Sequence, residues 1–130
     1  MTAAGQLANI PDFPKDAREV AILVTGAKYK STYELYAHTN VAKKVVGMDQ
    51  DVVDGIARGE KPKGLSEACE TAFDVASHLA GTPGPLPQEL WDRSMKSFGK
   101  QGTCALVHYV GAYAYTSIML NAMDAPIPQD

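Results

Sequence analysis

The chain has 130 residues, with 12 Lys and Arg against 15 Asp and Glu and a formal charge of −3. That length suits one domain with a core of its own, and 45 % hydrophobic residues exclude a disordered chain. The slightly acidic balance excludes nucleic acid as an expected partner, because phosphate neutralisation needs clustered Lys and Arg.

Residues 1–14 are expected to form an irregular lead-in. Pro11 and Pro14 bracket Phe13, and the segment has neither the charge nor the apolar core of a signal peptide. From Lys15 to Lys28 the composition is helical. Val20, Ala21, Ile22, Leu23, Val24 and Ala27 fall nearly all round that helix, which predicts deep burial. A second helix is expected from Ser31 to Val46, stopped by Gly47. A short one follows Asp49 as far as Ala57, and Ser66 caps another through about Leu79. Gly81-Thr82-Pro83-Gly84-Pro85 is a turn, and Pro87 opens a helix that ends by Gly99. Thr103 to Asn121 is the last helix, stopped by Pro126 and Pro128.

That last segment imitates a membrane span. Yet it carries Thr103, His108, Gly111, Thr116, Ser117 and Asn121, and no Lys/Arg flank biases its orientation. A helix buried all round in an all-α assembly has the same composition. No membrane partner is expected, and the location expected is cytoplasmic. Nowhere does the chain alternate as a strand does. The expected fold is all-α, five or six helices, with 15–125 as the domain and 126–130 as a tail.

Candidate chemistry lies on the second helix. At about 100° per residue, Glu34 and His38 fall inside the apolar sector with Leu35, Val41, Ala42, Val45 and Val46, while Lys43 and Lys44 face away. Their i,i+4 spacing makes the two side chains neighbours. A carboxylate beside an imidazole in an apolar cleft is an acid/base pair. The bland alternative is a capping box, in which Ser31 and Glu34 satisfy backbone N–H groups and His38 bonds a carbonyl. Glu19 lies in a helix where a carboxylate is rarely buried unpaired, and Arg18 or Lys15 would be its ordinary partners. His108 reads as a core histidine and, less favoured, as a substrate-binding one; His78 reads as exposed. The tyrosines read as packing residues, with Tyr33 and Tyr36 on the non-core face of their helix and available to a subunit interface. Cys69 and Cys104 make neither a disulfide framework nor a zinc spacing. No metal and no cofactor is expected.

The runs AREVAILVTGAKYKSTYELYAH, VVGMDQDVVDGIARGEKP and GTCALVHYVGAYAYTSIMLNAM resemble the carboxymuconolactone decarboxylase family, which includes the alkylhydroperoxidase-D-like proteins. The resemblance implies an all-α bundle assembled as a trimer or hexamer. In the peroxidase branch a Glu precedes a CxxC, with a His four residues after the second Cys. Glu19 and His38 match the Glu and the His; Ser31 and Glu34 stand where the cysteines would be. The thiols are gone, and the E-x-x-x-H of YELYAH resembles the decarboxylase-like branch. Only a short lead-in precedes AREVAIL here, and Ala105 stands where many relatives have Glu.

The activity this implies is a cofactor-independent lyase of aromatic catabolism acting on a small carboxylated lactone or related organic acid. His38 would be proton donor or oxyanion partner, Glu34 the group fixing its tautomer and Glu19 a second acid/base, with Ser31 and His108 toward the substrate. The alternatives are a non-catalytic oligomeric accessory protein of the same fold and, third, a peroxidase-like antioxidant protein using Cys69 or Cys104. In each case the chain is expected to be a homo-oligomer.

Overall fold

The helices start where the chain supplies partners for their first N–H groups or fixes their backbone in advance. The computed structural model describes Ile10 and residues 12–129. The lead-in expected at residues 1–9 and Pro11, and the last residue of the tail, lie outside it. Among the described residues there are five α-helices and no strand. Helix α1 is Lys15–Lys28, α2 is Thr32–Asn40, α3 is Gln50–Ala57, α4 is Glu67–Gly81 and α5 is Gln88–Ala122. The Asp49 carboxylate accepts from the N–H groups of Asp51 and Val52, and the Ser66 hydroxyl accepts from Cys69 N–H. Pro14 and Pro87 open α1 and α5, where a missing N–H costs nothing.

Helix α1 packs against all four of the others. Its residues Glu19 to Gly26 are buried without interruption, as its all-round apolar character predicts. Val20, Leu23 and Val24 meet Val53 and Ile56 of α3, Ala72 and Val75 of α4, and Leu106 and Tyr109 of α5 in one core. Phe13 seals one end, its ring 4.9 Å from Phe98 and 5.4 Å from Tyr109.

One element departs from the expected pattern. The second helix does not continue regularly to Val46: Val41–Val46 is a π-helical turn, closed by Gly47 at φ 81°. This wider winding rotates the residues past Asn40 off the apolar sector that a regular helix would give them. Ala42 is buried, but Val45 is 73 % exposed. Lys43 swings onto Asp54 of α3, Nζ to Oδ1 2.6 Å. The two helices expected on either side of Gly99 are present: Gln88–Ala122 is interrupted by a kink at which Gly99 takes the non-helical φ 70°, ψ −174°. Across that kink the Ser94 and Thr103 hydroxyls, both buried, lie 2.8 Å apart in a hydrogen bond that ties the two halves. Beyond the kink, α5 is an apolar helix that one chain covers only in part. One face meets the core; the other is bare. No helix of the described residues is long and apolar enough to cross a membrane.

Candidate functional site

Helices α1, α2 and α5 enclose one cluster of ionisable groups. Glu19 comes from the middle of α1 and is 1 % exposed. An isolated buried carboxylate would be costly, and this one has a partner for each oxygen. Arg18 Nε–H donates to Glu19 Oε2 at 2.9 Å, and His38 Nδ1–H donates to Glu19 Oε1 at 2.7 Å. His38 stands on α2 with its ring half-buried. Its other nitrogen, Nε2, is 3.4 Å from Glu34 Oε2, one turn back on the same helix. The three sequence-predicted residues Glu19, Glu34 and His38 are therefore within side-chain reach of one another.

Their roles differ from those the sequence alone suggests. Glu34 was the expected partner fixing the tautomer of His38. The short bond belongs instead to Glu19, which holds the proton on Nδ1 and leaves Nε2 aimed at Glu34, the arrangement that orients a catalytic imidazole. Glu34 Oε2 is buried and accepts no hydrogen bond. Burial raises its carboxyl pKa above the ordinary value, His38 opposes that, and the Glu19 charge adds to it. The site thus holds one anchored carboxylate and one carboxyl with a shifted proton affinity. Such pairs divide positioning from proton transfer.

Local packing explains why Glu34 reaches this place. Ser31 precedes α2 but its hydroxyl makes no cap bond, and its own N–H is used by the Gly26 carbonyl at 2.9 Å. The capping box that would have occupied Glu34 is not formed. Gly26 on α1 leaves room for the helix: a Cβ there would stand 3.3 Å from Leu35 Cδ2 and 3.7 Å from Glu34 Cβ.

One member of the site, Tyr113, carries no signal in the sequence. Tyr113 of α5 meets His38 edge-on at 5.1 Å between ring centroids. Burial, with the charges of Glu34 and Glu19, pushes its phenol up to about 12, so it stays protonated. Arg18, an expected partner of Glu19, supplies the cation behind the relay. No spacing in the chain pairs Tyr113 with His38, because the contact is between helices. His108, expected in the core and named as a substrate-binding residue, is exposed on the bare face of α5, the side that one chain leaves uncovered. Tyr33 and Tyr36, placed on the non-core face, are both half-buried, as is His78, which had been expected to be exposed. Ser31 is buried beside Glu34 with its hydroxyl unpartnered.

The cysteines stand apart from this cluster. Cys69 is buried, and burial pushes its thiol up and away from a reactive thiolate; Cys104 is exposed, and both are free. No family model, curated protein or solved structure matches the chain. The family resemblance therefore rests on the quoted residues, and function is argued from the site.

Proposed function

We propose that the chain is a cofactor-independent decarboxylase-like lyase that acts on a small carboxylated lactone or related unsaturated organic acid. The observation that carries this reading is the relay Arg18–Glu19–His38, which ends 3.4 Å from a buried carboxyl with no hydrogen-bond partner on Oε2. In such a substrate the carboxylate that leaves is vinylogously joined to the lactone carbonyl. The C–CO₂ bond breaks, CO₂ departs, and the electron pair passes through the double bond to the carbonyl oxygen as a dienolate. His38, held by Glu19 through Nδ1–H, takes the Glu34 carboxyl proton on Nε2 and delivers it to carbon, and solvent returns a proton to Glu34. The lactone itself is the electron sink, so the protein contributes proton transfer and stabilisation of the developing charge.

The test is a decarboxylation assay on γ-carboxylated butenolides, following CO₂ release. Turnover by the intact chain, lost by ~10²–10⁴ in His38→Gln with an unchanged circular dichroism spectrum, supports the reading. Turnover that survives in His38→Gln overturns it, and if turnover is also lost in the folded double variant Cys69→Ser/Cys104→Ser the mechanism is a thiol one. A chain with no turnover on any such acid stands as an accessory protein of the same fold.

A further inference from the structure

A void of about 230 Å³ opens between the start of α2 and the end of α5. Lys30, Ser31 and Thr32 form one wall; Asn121 and Asp124 form the other. A hydrogen bond sets the gap between them, with Asn121 Nδ2–H donating to the Tyr29 carbonyl at 2.7 Å. None of Glu19, Glu34 and His38 lines this void.

The two walls carry opposite charge. On the α2 side the N–H groups of the first turn have no partner within the helix and give that end a partial positive charge. No side chain caps them: the Ser31 hydroxyl makes no cap bond, and Glu34 turns to His38. Lys30 adds a full positive charge. Ser31 is fully buried in this wall and its Oγ has no hydrogen-bond partner, a rare state that calls for an acceptor. On the α5 side the C-terminal end of a long helix carries a partial negative charge, and Asp124 adds a full one. Asn121, with Nδ2 engaged on Tyr29, adds Oδ1 as an acceptor.

We infer that this void binds a small free amino acid, with its carboxylate on the α2 wall and its ammonium on the α5 wall. Lys30, the first-turn N–H groups and the Ser31 hydroxyl take the carboxylate; Asp124 and Asn121 Oδ1 take the ammonium. A simple anion would suit the first wall and be repelled by Asp124. A simple amine would suit the second and be repelled by Lys30. A molecule with both charges meets both walls, and a volume of about 230 Å³ limits it to a small one. This inference is independent of the acid/base reading of His38 and Glu34.

Calorimetric titration of the full chain with L-alanine and with γ-aminobutyrate covers two charge separations, while acetate and ethylammonium supply each charge alone. At least one of the two amino acids should bind saturably, and about tenfold more tightly than either half-ligand, the scale of one bond to a charged group. Lys30→Asn and Asp124→Asn each remove a charge. Asparagine tolerates the left-handed backbone that both positions adopt, at φ 53° and 49°, so the fold and the melting temperature should be kept. Asp124→Asn should weaken the amino acid by about tenfold without weakening acetate, whereas Lys30→Asn and Ser31→Ala should weaken both by about that factor. Absence of saturable binding of either amino acid overturns the site. So does acetate that binds as tightly as the amino acid, which marks a plain anion site. Amino acid binding that all three variants leave unchanged also overturns it, because the ligand then sits elsewhere on the molecule.

Discussion

Glu19 is the residue on which the site's geometry turns. Its two carboxylate oxygens serve Arg18 and His38 separately, so changing it affects orientation before charge. Glu19→Gln keeps the shape but puts an amide, with its fixed donor, where His38 needs an acceptor. Turnover should fall by about 10²–10⁴, the range for disturbing a positioned acid/base group, with the pH profile displaced; initial rates across pH check this. Glu34 offers a test through stability. Its carboxyl pKa is raised in the folded state, first by burial and then by Glu19, against the opposing His38. The folded chain therefore holds a proton on Glu34 that the unfolded chain has released, and stability declines as pH rises through the window above the ordinary value of 4.5. Glu34→Gln removes that decline. Its melting temperature relative to the wild type should climb across this window and then level off; a difference that is flat with pH would contradict the shift. The i,i+4 pair Glu34 and His38 was legible in the chain because both lie on one helix. The division of labour was not, because which carboxylate reaches Nδ1 depends on where α1 lies against α2.

Among the elements, α5 carries the clearest backbone constraint. Gly99 sits at φ 70°, ψ −174°, a region that side chains with a Cβ rarely enter. Three residues on, Gly102 has no room for a side chain, since a Cβ there would lie 2.6 Å from Phe98 Cβ. The two glycines permit a bend that brings Phe98 onto Phe13 and lets Ser94 reach Thr103. Gly99→Ala should cost ~1–3 kcal/mol, measurable as a lower midpoint in urea denaturation. An unchanged midpoint would mean that the bend relaxes freely. Sequence marked Gly99 as the boundary between two helices, and its non-helical backbone is that boundary. The π turn at Val41–Val46 was not legible. Its residues VAKKVV carry no breaker, and only Gly47 signals a stop. The capped starts at Asp49 and Ser66 were legible, because their chemistry is local.

For the whole molecule, the all-helical architecture was legible from caps, helical periodicity and the lack of alternation, and so was the shortage of cover for the last apolar helix, but not which of its faces is left bare. The chain from Gln101 to Met123 contains no Asp, Glu, Lys or Arg, so its two faces are equally uncharged, and composition alone does not say which is covered. In the fold one face meets α1 and α4. The opposite face leaves Val107 40 %, Tyr115 68 %, Ile118 52 % and Met119 44 % exposed, with Gly111 open between them. These positions recur at the 3-and-4 spacing by which one helix seam meets another. An apolar stripe several turns long with no charge along it is unusual on a soluble monomer. A second copy of the same chain is the partner expected, because the stripe is uncharged and matches the seam that two such helices form. Light scattering coupled to gel filtration should give a mass several times the 13.9 kDa of one chain at micromolar concentration. Ile118→Glu, which places a charge in the middle of the seam and far from the kink, should shift that mass towards one chain while the helical circular dichroism stays. A wild-type species at the mass of one chain would refute the assembly. An Ile118→Glu variant that remains fully assembled would place the interface elsewhere on the surface.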